Sequence, residues 1–191
     1  MSQNLAQSLS QSGILTPDLQ PLLSPNFVPT TALTVQFGES PVSFGSFFRA
    51  SECKEAPTVS FSKEADDPNA SKRYTLLLID PDAPTPDDPK FAYWRHWVVS
   101  GLRPAEAGDV TDTATVLTEY LGPGPKDESK PHRYLYLLFR EPEQFTLSKN
   151  DVGGEEFTQR RSFKAAEWVE QYGLKLVAVN WMRGVGDGWK E

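Results

Sequence analysis

The chain has 191 residues, five tryptophans and a formal net charge of −7. That length suits one domain with one substantial core, and the acidic balance argues against a nucleic-acid partner, which needs a basic face to release counterions. Cys53 is the only cysteine and has no internal disulfide partner, residues 1–13 lack the basic end and long apolar run of a secretory signal, and no stretch approaches the ~18 apolar residues of a membrane span. A cytoplasmic setting is expected, with peripheral membrane contact at most.

Residues 1–25 read as a helical arm and residues 26–191 as one body. Ser2 can cap a short helix that carries Leu5 and Leu9 on one face, and Gly13 can end it in the left-handed conformation. Thr16-Pro17-Asp18 repeats the start signal, with Leu19, Leu22 and Leu23 forming an apolar patch before Pro25 stops it. Period-two alternation then predicts half-buried strands over 33–37, through Leu33, Val35 and Phe37, and over 57–62, through Val59 and Phe61. Residues 63–72 are a charged loop, and 74–79 a central strand buried on both faces. Further strands are predicted over 97–100, 115–121 and 134–139, and the proline-rich segments between them favour antiparallel pairing over crossover helices. Ser162 opens an amphipathic helix with Phe163, Ala166, Val169 and Tyr172 inward and Gly173 at its end. Residues 174–181 form a last strand, and 183–191 a Gly-rich tail too short for a stable helix.

The chemistry concentrates in three places. The run Ile79-Asp80-Pro81-Asp82-Ala83-Pro84 sets two carboxylates at the exit of the buried central strand. They are either a pair for acid and base work or turn residues that cap loop amides, and the run alone does not decide. His96, between Trp94 and Trp97, and His132, before Arg133 and Tyr134, are the only histidines. With Asp80 they match the residue types of a two-histidine, one-carboxylate metal site, but no close His and Asp pairing or cysteine cluster supports a metal. The stronger reading is oxyanion binding, because a carboxylate beside an imidazole favours its charged form and orients its N–H toward a ligand. In Gly122-Pro123-Gly124-Pro125 the glycines admit close backbone approach and the prolines stiffen the wall. Ser100 lacks a nucleophile elbow, Cys53 has no local signature, and phosphate-loop and dinucleotide glycine patterns are absent, so neither an enzyme nor a cofactor is expected.

Taken together, Asp80-Pro81-Asp82-Ala83-Pro84, Asp88-Pro89-Lys90 with Trp94 and His96, and Gly122-x-Gly124-Pro125 before His132-Arg133-Tyr134 resemble the phosphatidylethanolamine-binding protein family. The long start is closest in character to the family's fungal carboxypeptidase Y inhibitor branch. The resemblance implies a mainly β fold, a large antiparallel sheet against a smaller one with few peripheral helices, and a shallow pocket for phosphate or a phosphatidylethanolamine-type headgroup. It places Asp80, His96, Pro125, His132 and Tyr134 around the ligand, Asp82, Pro84, Trp94 and Gly124 as shaping residues, and cis bonds at Ala83–Pro84 and Ala92–Tyr93. It further implies a regulator or inhibitor whose partner is a serine carboxypeptidase or a kinase, and Leu5, Leu9 and Leu15 of the N-terminal arm either anchor a carboxypeptidase or fold the arm onto its own domain. Phe91, where mammalian members have tyrosine, removes a hydroxyl from the rim. The cations Arg95 and Lys126 either strengthen anion binding or pair with surface acids such as Asp87 and Asp127. The chain also lacks the final helix of mammalian members, which implies a pocket more open on one side.

Overall fold

The computed structural model describes residues 2–17, 19–105, 108–112 and 114–191, with residues 2–4 and 6 given by their backbone alone. The Ser2 cap and Asp18 of the second helical signal lie outside what is described. Helix α1 (Ser2–Gln11) ends where Gly13 takes a φ of 65°. Residues 16–25 do not continue as a second helix among the described residues. They form turns closed by Leu19 N–H to Thr16 O at 3.0 Å and Leu23 N–H to Leu19 O at 2.9 Å. Pro21 has no N–H for the next helical bond, which is why the signal at Thr16-Pro17 yields turns only.

Two sheets make up the body. The smaller runs β2 (Ser40–Pro41), β1 (Leu33–Phe37) and β4 (Thr58–Phe61), all antiparallel. The larger runs β3 (Ser46–Arg49), β9 (Lys175–Val185), β8 (His132–Arg140), β5 (Tyr74–Asp80), β6 (Trp94–Leu102) and β7 (Thr115–Thr118). Antiparallel pairing holds throughout except where β3 lies parallel to the end of β9. That exception departs from the antiparallel pairing expected, and β9 runs on through residues expected as tail because β8 pairs them on one side and β3 on the other. β3 escaped notice because its adjacent Phe47 and Phe48 break the alternation that marks a strand.

Successive residues of the central strands enter different cores. Leu76 and Leu78 of β5, Tyr136 and Leu138 of β8, and Trp97 and Val99 of β6 meet Leu33, Val35, Val59 and Phe61 of the small sheet. Leu77, Ile79, Leu135, Leu137 and Val179 face the other way, onto Leu5, Leu9, Ile14, Leu19, Leu22 and Leu23 of the N-terminal segment and Ala165 and Trp168 of α2 (Ala165–Gln171). A strand covered on both faces reads as an unbroken apolar run, as 74–79 does. Helix α2 starts later than the Ser162 signal, because Ser162 sits at φ 51° and gives its amide to Phe91 O at 3.0 Å. Its fully buried residues are Ala165 and Trp168, while Phe163, Ala166, Val169 and Tyr172 are partly buried beside them. Leu5 and Leu9 are thus core residues, facing the chain's own sheet instead of a partner.

Removing one of these arm contacts leaves a cavity against the sheet. Leu9→Ala should destabilise the protein by about 2–4 kcal/mol, read from the urea midpoint; a change within experimental error would show that the arm does not pack there.

Candidate functional site

The ends of β5, β6 and β8 converge with the loop 121–126 on a cavity of about 290 Å³. Its walls include Asp80, Pro84, Trp94, His96, Gly122, Gly124, Pro125, His132 and Tyr134, nine of the ten side chains singled out from the sequence. Register explains how strand residues meet there. Between Leu78 and Ile79 the pairing shifts from Trp97 to Arg95, so that His96 is the extra residue of a β-bulge. Bulges bend a strand and re-aim side chains, and this one turns His96 into the cavity while sending Arg95 to the other face. Both cis peptides implied by the resemblance, Ala83–Pro84 and Ala92–Tyr93, are present in the adjoining loop.

Asp80 and His132 form the buried centre. The imidazole Nδ1 lies 2.8 Å from Asp80 Oδ2, and each side chain is only 4% exposed. At such burial the carboxylate fixes the proton on Nδ1, which leaves Nε2 as the ring's acceptor. Asp80 Oδ1 accepts the Asp82 amide at 2.6 Å, which completes its coordination. His132 Nε2 lies 3.0 Å from the Ser129 hydroxyl, giving an Asp80–His132–Ser129 series that sequence reasoning missed. The i, i+3 spacing of Ser129 and His132 was the only signal for it. Ser129 does not line the cavity and its hydroxyl oxygen also lies 3.0 Å from Lys130 O, so the hydroxyl braces the imidazole and is not placed to attack a ligand. Burial raises the Cys53 thiol to about 12, which keeps the only cysteine protonated and inert at neutral pH.

His96 is held differently. Its Nδ1 lies 2.6 Å from Leu121 O and its ring packs edge-on to Tyr134 at 5.2 Å. Burial pushes the His96 imidazole below its usual pKa, with the Asp80 charge and the Leu121 carbonyl pulling the other way. The ring is therefore neutral at pH 7 in the empty cavity, with Nδ1–H donating to the carbonyl and Nε2 left without a protein partner. This corrects the picture of an imidazole charged in advance. Burial also holds the Tyr134 phenol well above its usual value, so it stays a neutral donor.

Asp82 is not in this cavity. Its carboxylate faces away from Asp80's and takes Arg133 Nε at 2.8 Å and Nη2 at 2.5 Å, while Arg133 Nη1 reaches Gly13 O at 2.6 Å. Pro81 ends the strand geometry that would have aligned the two carboxylates. Asp82 lines a separate cleft of about 780 Å³ with Pro17, Pro81 and Tyr93. Gly122 is required sterically, since a Cβ there would stand 2.4 Å from Cys53 O; Gly124 has open space around it, and neither takes a positive φ. Arg95 does not line the cavity and enters no salt bridge among the described residues. It is buried, donates to Thr118 Oγ1 at 2.9 Å, and covers the Phe163 ring at 4.9 Å. Arg160, also unforeseen, donates to His96 O at 3.0 Å and Glu119 O at 2.9 Å and so clamps the approach to Gly122. At the rim stand Phe91, Lys126, Phe157 and Arg161, of which the last two carried no motif. Among the described residues no group of three or more His, Cys, Asp or Glu is placed to hold a metal ion.

Comparisons with known proteins agree with this architecture. A family model described as phosphatidylethanolamine-binding protein matches residues 24–181. The "Protein MOTHER of FT and TFL1 homolog 2" of Oryza sativa subsp. japonica is 32% identical over 119 residues, covering 62% of this chain and 63% of that protein, so this chain spans less than two thirds of that relative's length. Among solved structures, carboxypeptidase Y inhibitor complexed with its cognate proteinase is similar at a TM-score of 0.81, with 98% of this chain and 97% of that chain covered at 23% identity. A phosphatidylethanolamine-binding protein from Plasmodium vivax gives 0.76, with 95% and 97% covered at 24% identity. At those identities the structural likeness speaks for the fold.

The neutral, buried His96 has a consequence for stability. Its folded pKa is depressed and an unfolded histidine titrates near 6.5 (about), so the unfolded state binds more protons as the solution is acidified. The wild-type urea midpoint should fall below about pH 6.5, and His96→Gln should lose that part of the pH dependence; identical profiles would show that His96 is not held neutral.

Proposed function

Since the chain belongs to the phosphatidylethanolamine-binding protein family, we propose that its cavity binds the phosphoryl group of a phosphate-bearing small molecule or phospholipid headgroup without turning it over, and that occupancy regulates a partner protein. The observation that carries this reading is the buried Asp80–His132 pair, set beside an unpartnered His96 Nε2 and the Tyr134 hydroxyl on one cavity wall. A phosphoryl oxygen entering there is met by the neutral Tyr134 hydroxyl and by an imidazole that can take up a proton. The cavity is small, so affinity is modest. Binding favours the protonated form of a ring that is neutral when the cavity is empty, so it consumes protons and weakens as pH rises.

Calorimetric titration with inorganic phosphate and with phosphorylethanolamine tests this directly. Wild type should bind phosphate with net proton uptake, seen as a heat that varies with buffer ionisation enthalpy, and His132→Ala should weaken binding by roughly tenfold or more. No binding by wild type, or unchanged affinity in the variant, rejects the assignment.

A second reading, inhibition of a serine carboxypeptidase by protein contact, is favoured by the likeness to carboxypeptidase Y inhibitor over nearly the whole chain. Leu5 and Leu9 face inward, so contact through the arm would use its outer side, where Gln7 and Gln11 are exposed. The full chain should then inhibit carboxypeptidase Y in a peptide-hydrolysis assay, and a Gln7→Glu, Gln11→Glu variant should inhibit less; a wild-type chain without effect on that enzyme removes this reading.

A further inference from the structure

Arg161 has an unusual setting. Its guanidinium lies 4.2 Å from the Phe91 ring centroid, 5.7 Å from Phe157 and 5.8 Å from Trp94, and its buried Nε has no hydrogen-bond partner. Ser162, at φ 51°, gives its amide to Phe91 O at 3.0 Å, and Phe163 gives its amide to Tyr93 O at 2.9 Å, so the backbone beyond Arg161 is zipped to the loop that carries Phe91. Among the described residues neither Arg161 nor Lys126 enters a salt bridge, and both line the cavity that holds His96 and His132. The one acid in its wall, Asp80, is already matched by His132. In a chain of net charge −7, two unmatched cations facing one cavity are a local exception.

We propose that Arg161 makes this cavity selective for phosphate esters that carry a second anionic group, over those that carry an ammonium. The proposal rests on the phosphoryl-binding reading above. Aromatic faces at the mouth of a phosphate site would ordinarily attract a ligand's ammonium through the ring quadrupoles. Here Arg161 already covers those faces, and an ammonium would meet a like charge with Lys126 close by. A carboxylate or second phosphate in the same place meets a planar fork of donors on an apolar support, where guanidinium pairs well with oxyanions. Phe157, exposed at 61%, forms the outer edge of this platform and keeps water from one side of the guanidinium.

Phosphoglycolate and phosphorylethanolamine are near-isosteric and differ in the sign of the terminal charge. Titrated into the wild-type protein at low salt, phosphoglycolate should bind about tenfold more tightly. Arg161→Gln should bring the two affinities within about twofold, mainly by weakening phosphoglycolate, whereas Arg161→Lys, which keeps the charge, should retain most of the preference. Lys126→Gln should lower the preference by a smaller factor. Wild type that binds inorganic phosphate but treats the two esters equally, or prefers phosphorylethanolamine, overturns the selectivity and leaves the phosphoryl site standing. Wild type that binds none of the three overturns both. Flotation with phosphatidylcholine vesicles containing phosphatidylinositol 4-phosphate separates the sources. Capture reversed by phosphoglycolate assigns the second anion to a lipid headgroup, and selective binding of phosphoglycolate without capture assigns it to a soluble ester.

Discussion

The central strand β5 has no water on either face, and every polar group at its ends has to be matched inside the protein. At one end Asp80 is matched by His132 at 2.8 Å and by the Asp82 amide at 2.6 Å. At the other, Thr75 donates to Glu141 Oε1 at 2.7 Å and the Tyr74 hydroxyl to Glu64 Oε2 at 3.0 Å. An unmatched carboxylate at such burial would cost several kcal/mol, so these pairs fix the register of β5 against its neighbours before any function is considered. The cavity follows from the first of them. His132 must open β8 beside the last residue of β5, and the bulge in β6 then brings His96 to the same wall.

The loops around the cavity are placed by the same demand for partners. Arg160 satisfies carbonyls at the end of β6 and before Gly122, Gly122 closes on Cys53 without room for a Cβ, and Arg133 ties Asp82 to the N-terminal segment through Gly13 O. The cavity wall is thus built from buried groups with few alternatives, while Lys126 and Arg161 at the rim enter no salt bridge among the described residues.

Much of this was legible in the residues. The alternation at Leu33, Val35 and Phe37 and the unbroken run at 74–79 identify a half-covered and a doubly covered strand, because side-chain period reports directly on which faces are buried. The two histidines, Asp80 and the Gly-Pro loop could be grouped because each is a rare or conformationally special residue. Asp82 could not be separated from Asp80, since the turn at Pro81 sends the second carboxylate to Arg133 and nothing local encodes that partner 51 residues away. β3 and the end of β9 were missed for a related reason. β3 is a strand because it lies alongside β9, whose end is also paired with the start of β8, and pairings over those chain distances leave no short-range mark.

By itself, then, the sequence determined the mainly β architecture, the doubly covered central strand and the residue types of the cavity wall, since composition and periodicity are properties of each segment. Only the tertiary structure decided that burial keeps His96 neutral, that Ser129 braces His132, that Arg95 is buried away from the cavity, and that Arg161 covers the aromatic rim. Those properties depend on burial and on partners far along the chain, and a carboxylate, an imidazole or a guanidinium acquires its chemistry from what surrounds it in space.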